Sequence, residues 1–524
     1  MADNMVTANY PSGVQTFDPN SPARENLVWN PITGQMETAS GAPVSGGGNK
    51  LMALPTDFAA LWTPGFNIYR TGYGQYITDL TAASLRPGAT GTLQNFYFDP
   101  VNGSNANNGT AIGTPKQTNT TTLALTTYDT VVLNYIPPAD RIIWGGLNAA
   151  QRPLRNAVIQ ATDGGPLWFV KAAKPTWAVD GTYSNVYSTA AAGTTSSARG
   201  AVIDLRPRLV NGEDQVKALT PVADKASVAA TAGTYWHDYA NSIVYVRAHD
   251  DRNLVGDGYM CPPTSTGVNG YFNVEAAMAA PRTFYLSNVY LVGGVPMSAT
   301  NNATDFAAAY RPVLVMDGGG FIGGTASGNG GAHIYGAYDI FYFNTEAAYN
   351  WKDGLNAHVL SPTTGGGFPR VVEIGTKCLW RNGWDGLNLL PVTTNTNNHS
   401  TLHETSMAIC VMPTYGSNLP TQGSEGRPLH DIDSARRLVF GGTLGVSASM
   451  QTVATGANYP SVQAGNSDSH ATVMDLYECN VPVGGNTALY SYAGSAIRCH
   501  GMEGIFAGLT KGGATANITN VALS

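Results

Sequence analysis

The chain has 524 residues, a formal net charge of −7 and only 12% charged side chains, about half the usual ~25%. With no lysine- or arginine-rich stripe, that balance excludes a nucleic-acid surface built on neutralised phosphates. The 61 glycines, 30 prolines and 10% aromatics fit a turn-rich all-β protein with a true core, and the scarcity of strong helix formers in runs excludes a helical one.

The first residues, MADNMVTANYPSG, hold neither a basic nor an apolar region, so no export signal is expected. No run of 18 apolar residues occurs, and no membrane span is expected. Residues 1–50 are rich in Pro, Gly, Asn and Ser and end in SGGGNK. They read as a flexible arm, or as an arm that orders on docking to a larger assembly. Residues 51–94 carry one short helical candidate, Thr56 to Trp62, and several aromatics, and are expected to form a neck or cap. Cysteines 261, 378, 410, 479 and 499 are scattered, with no Cys-x-x-Cys pair. They are expected as buried thiols of a chain folded in a reducing compartment.

Residues 95–260 open on FYFDPVNGSNANNGTAIGTPKQT (96–118). Phe96 and Phe98 alternate on one strand face, and Gly, Asn and Ser then make a long turn. Further on, GTYWHDYANSIVYVRAHDD (233–251) has the alternation and the Asp/Asn turn of a β-hairpin. Its Tyr235 and Trp236 offer faces for a sugar ring, or simply pack the hairpin down. In residues 261–524 short apolar runs punctuated by Gly or Asn recur every 20 to 40 residues or so, from FYLSNVYLVGG (284–294) to ANITNVAL (516–523). NWKDGLNAH (350–358) and NGWDGLNLL (382–390) share DGLN. If their coils are neighbours, Asp353 stacks on Asp385, Leu355 on Leu387 and Asn356 on Asn388.

The opening segment 96–118 resembles the first strand of right-handed parallel β-helix proteins of the pectate-lyase-like kind. The 233–251 hairpin resembles one that decorates early coils of such proteins. NNHSTLHETSMAIC (397–410) and PLHDIDSARRLVFGGTLGVSAS (428–449) resemble coils of β-helix proteins of phages and prophages. On that pattern the matching positions are Ser400, Thr401, His403, Glu404, His430 and Asp431. The DGLN turns are loosely similar to a polygalacturonase turn, but the paired Asp-Asp, Gly-His-Gly and Arg-x-Lys of those enzymes are missing. The resemblance covers about residues 95–524. It implies an all-β solenoid, a right-handed parallel β-helix with an N-terminal anchor and cap, assembled as a homotrimeric tailspike. The implied partners are bacterial surface polysaccharide and, through the N-terminal arm, other virion tail proteins. The implied location is the virion, released by lysis of the host.

Ionisable and imidazole side chains concentrate between 350 and 480. Three readings stay open. A carboxylate pair, one protonated by burial, can hydrolyse a glycosidic bond. A base beside a cation, with Arg381, Arg427, Arg436, Arg437 or Lys352 as candidates, can run a lyase reaction. Asp and Asn at tight turns and His at coil ends can also be purely structural. If the chain cuts a glycan, the catalytic candidates are Asp353, Asp385, Glu404 and Asp431, assisted by His403 or His430. Sugar contacts are expected from Tyr235, Trp236, Trp384 and Arg381. HSTLHE is not a zinc spacing that stands alone, and neither a metal nor another cofactor is expected. A non-catalytic adhesin of the same fold and a secreted polysaccharide lyase or hydrolase are the alternatives.

Overall fold

The computed structural model describes residues 27–30, 35–38, 49–72, 74–88, 90–118, 128–145, 156–191, 201–263, 282–293, 297–300, 311–324, 331–350, 353–358, 368–380, 396–402, 405–415, 425–445, 461–465, 471–481 and 488–523. The opening segment folds as its residue pattern requires. Leu93–Phe98 is a strand, and both Phe96 and Phe98 enter the core. Asp99 then ends it, its Oδ1 accepting the backbone N–H groups of Val101 (2.9 Å) and Asn102 (2.8 Å). Gly103 sits where an added Cβ would lie 2.4 Å from Lys116 O and 2.6 Å from Asp99 O. Only glycine permits that closure.

From this start the chain is mostly β, and its strands pair in three parallel ladders. The first runs through Leu93–Phe98, Thr130–Tyr135, Asn156–Ala161, the front of Thr283–Val292 and of Val313–Ile322, Asp339–Phe343, Arg370–Ile374, Met407–Val411, Arg436–Phe440, Val473–Tyr477, Ala496–His500 and Ile518–Val521. The second takes Ile142–Trp144, Leu167–Val170, the rear of the same two long strands, Glu346–Ala348, Lys377–Trp380, Thr414–Tyr415 and Thr443–Leu444. The third takes Met297–Thr300, Ala332–Tyr335, Leu355–His358, Thr396–Leu402, Glu425–Asp431, Val462–Ala464, Leu489–Ser491 and Lys511–Gly513. Between Ala332 and Leu444 the chain visits the third, first and second ladders in turn, four times over. Each apolar run of the sequence holds a strand of the first ladder, and the run at 284–294 continues into the second. The third ladder's strands are short and alternate polar with apolar, so they stand out less.

The interior is one continuous apolar column. Rows such as Ile340, Val371 and Ala408, or Leu429, Val462 and Leu489, stack from strand to strand inside it. All five cysteines are buried and unbridged, as the sequence led us to expect.

Among the described residues, excursions of the chain cover two of the three outer faces. Residues between 171 and 263, including the hairpin Thr234–Asp238 with Ile243–Arg247, pack Trp177, Leu205, Tyr235, Val244 and Val246 against the second ladder's Trp168, Tyr290 and Ile322. Trp168 and Tyr290 stack at 4.0 Å, and Arg208 lies over both rings and pairs with Glu346 at 2.5 Å. Residues 49–85 strap the first ladder. Phe58, Trp62, Ile68 and Tyr76 bury themselves on Val372, Ile409, Leu438 and Phe440. The helix expected from Thr56 to Trp62 is a single turn, Thr56–Ala59, that sets Phe58 into this face. Arg70 Nε donates to Glu478 Oε2 at 2.5 Å and Tyr76 Oη donates to the same oxygen at 2.7 Å. The strap thereby ties residue 70 to residue 478 across almost the whole sequence.

Candidate functional site

The third ladder's outer face is the one on which no described excursion packs, and it is polar. Ala332, Ile334, Leu355, Ala357, Leu429, Val462, Ala464 and Leu489 face the core. Side chains alternate along a strand, so the residues between them point outward. In register these are His333, Asn356, His430, Gln463 and Tyr490, with the backbone of residue 401 paired between Asn356 and His430. Five steps of ~4.8 Å give a row about 24 Å long. Much of it is closed: His333, at one end, and Asn356, His430 and Gln463 are all buried. Beside it Tyr335 and His358, and at the other end Tyr490 and Tyr492, are partly exposed.

The densest part of the row joins two strands. The rings of His333 and Tyr335 lie 4.4 Å apart, His333 and His358 4.9 Å, and Tyr335 and His358 4.9 Å in a stacked pair. Asn356 Nδ2 donates to Asp353 Oδ2 in the turn that leads into this strand. Further along, Gln463 Nε2 lies 2.9 Å from His430 Nε2 and donates to Gly465 O at 3.1 Å. The face thus offers imidazoles, amides, phenols and one carboxylate. Such groups hydrogen-bond hydroxyls and stack on the apolar face of a sugar.

The sequence candidates separate on this frame. His430 belongs to the outer row, and Asp353, buried in the turn before Leu355, bonds to Asn356 of that row. Asp431, adjacent to His430, points the opposite way: it pairs in register with Leu402 and Ala464, inside the column. There it is fully buried. Arg437 Nε and Nη2 each donate to it at 2.8 Å, and Leu402 N donates at 3.1 Å. Arg437 also approaches Glu373 at 3.3 Å, and Tyr415 Oη donates to the other Glu373 oxygen. Burial pushes the Asp431 carboxyl up, and Arg437 pulls it back. A raised carboxyl suits an acid catalyst, but this one is enclosed by the core. Asp353 and Asp431 therefore do not line one groove. The stacking expected of the two DGLN turns is corrected as well. Leu355 and Asn356 pair with Ser400 and Thr401 on one side and with Ala332 and His333 on the other, not with Leu387 and Asn388.

Tyr235 is buried on the inner side of its hairpin. Trp236 faces out and stacks on Tyr245 at 5.3 Å, with Lys225 Nζ 5.2 Å from the Tyr245 ring centroid. Arg381, Trp384, Asp385, His403 and Glu404 lie outside the described residues. His333, Tyr335, Gln463 and Tyr490 escaped the sequence reading. Their signal was the alternation in AHIY, VQA and LYS, each too short to register until the strands are aligned. Among the described residues no group of three His, Cys, Asp or Glu is arranged to hold a metal ion.

No protein-family model matches the chain, and no curated protein matches it. Among solved structures it is similar to one described as "Glycoside hydrolase", with a TM-score of 0.39 and 9% identity over 82% of this chain and 96% of that one. A likeness at that level carries no argument about the site.

Proposed function

We propose that this chain is a parallel β-helix protein of the phage tailspike type, a homotrimer that recognises bacterial surface polysaccharide on the outer face of the third ladder. The observation that carries the reading is the pair of partly exposed rings, Tyr335 and His358, backed by the buried His333, Asp353 and Asn356 on the polar side that neither the strap nor the inserted hairpin region covers. The three ladders visited in rotation support the solenoid, and the opening segment 96–118 supports the family type. The site favours recognition over hydrolysis, because Asp431, the other described carboxylate candidate, is locked to Arg437 in the core. Depolymerisation would need Asp385 or Glu404 beside Asp353, with His403 assisting.

The test is incubation of the purified protein with capsule and lipopolysaccharide from a panel of bacteria, reading both retention and chain length. Retention without shortening is expected. New reducing ends would move the chain to the hydrolases, and unsaturated ends to the lyases. Failure to retain any glycan would remove the reading altogether.

A further inference from the structure

A pocket lies around the corner from the polar row. Only Gly336–Tyr338 separate Tyr335 from Asp339, where the first ladder meets the strap. Here a pocket of about 210 Å³ is lined by Trp62, Phe66, Phe341, Leu80, Asp339 and Arg370, among others. That is below the ~300–1,000 Å³ of drug-sized sites and leaves room for one ring. Its walls are aromatic and aliphatic, with a single charged pair.

That pair is not neutral as a group. Arg370 Nε and Nη2 donate to Asp339 Oδ1 and Oδ2, both at 2.6 Å. Arg311 Nε donates to the same Oδ1 at 2.9 Å, and its Nη2 is spent on the carbonyls of Tyr338 and Phe368. Two guanidinium groups thus share one carboxylate, which leaves one positive charge in a chain whose net charge is −7. Asp339 is fully engaged. Arg370 is partly exposed, lies 5.8 Å from the Trp62 ring centroid, and its Nη1 takes no acceptor among the described residues.

We infer that this pocket binds a single acidic sugar unit, a pyranose bearing a carboxylate, with its ring against the aromatic wall and its carboxylate on Arg370. A planar guanidinium is suited to a carboxylate, and an aromatic wall to the apolar face of a sugar. A neutral hexose would leave the excess charge unanswered. The site stands independently of the polar row, and neither requires the other.

The probe is a short galacturonic-acid oligomer, with a neutral maltooligosaccharide of equal length as control, titrated calorimetrically into the full chain. Gly65 supplies the blocking variant: a Cβ built there meets no atom within 4 Å, so Gly65→Tyr adds bulk at the pocket wall without a clash at its root. Saturable binding of the acidic oligomer is expected, at least tenfold tighter than the neutral one, weakened by salt, and lost in Gly65→Tyr. Phe66→Ala, a milder change to the same wall, should weaken it several-fold. His358→Ala should leave it unchanged, which separates this site from the polar row. No saturable binding would overturn the inference. So would equal affinity for the neutral oligomer, or binding that survives both Gly65→Tyr and Phe66→Ala.

Discussion

At the residue scale, the neighbours His430 and Asp431 show how much depends on a period of two. The sequence presents them as one acidic-imidazole motif. The strand turns one outward and the other into the column, where Asp431 meets Arg437. Arg437 occupies an interior row between Ala408 and Met474, a place no apolar pattern would assign to arginine. Nothing in the local sequence says that Glu373, Tyr415 and Asp431 gather around it, because the partners come from three other strands. A charge left alone in such a setting is costly, so Asp431→Asn should destabilise the chain by about 3–5 kcal/mol. Chemical denaturation would register that loss, and glycan retention by the remaining folded protein should be unaffected. His237 gives a pH dependence of stated sign. Burial in the hairpin lowers its pKa to about 4, with the Asp238 charge opposing. The folded state holds it neutral while the unfolded chain protonates near 6.5. Its contribution is therefore complete above pH 6.5 and lost as pH falls towards 4. Melting curves between pH 7 and 4.5 should fall less steeply for His237→Gln than for the unaltered chain.

At the element scale, the first ladder was legible because its strands are apolar on both sides: one side faces the column, the other the strap. The hairpin at 234–247 was legible for its alternation and Asp/Asn turn, and Asp238 does accept the Asn241 N–H in that turn, at 3.1 Å. What the sequence concealed was where residues 51–85 go, since nothing local in them names a partner some 400 residues away. Trp62 and Tyr76 looked like cap aromatics; they are the inner surface of a strap. Burial would raise the Glu478 carboxyl, but the hydrogen bonds from Arg70 and Tyr76 and the Arg70 charge bring it below the ordinary glutamate range. A carboxylate lowered by folding stabilises above its unfolded pKa of about 4.3 and loses that contribution as pH falls further. Glu478→Gln should therefore melt lower than the unaltered chain at pH 7. The gap between them should close by pH 3, as scanning calorimetry at the two pH values would show. A constant gap would mean that the Arg70 pair does not fasten the strap.

At the scale of the whole molecule, three ladders make three outer faces, and their coverings differ. The strap seals the first with apolar side chains, and the hairpin region seals the second. The third keeps a row of imidazoles, amides and phenols that neither apolar packing nor the interior column accounts for. The composition, with few ions and much Asn, Thr, Ser and Gly, pointed only to a polar but weakly charged surface. It did not tell which face would carry the polar row, because that follows from the registers of strands only three to seven residues long. The central claim is that polysaccharide is held on the third ladder. Its most direct test compares binding isotherms of one retained capsule or lipopolysaccharide for the unaltered chain, for His358→Ala with Tyr335→Ala, and for Trp236→Ala. Losing the two partly exposed rings from the row should weaken binding at least tenfold while the melting temperature stays within a few degrees, and Trp236→Ala should bind as before. Unchanged affinity in the double variant, with loss in Trp236→Ala, would place the glycan on the hairpin and contradict the account.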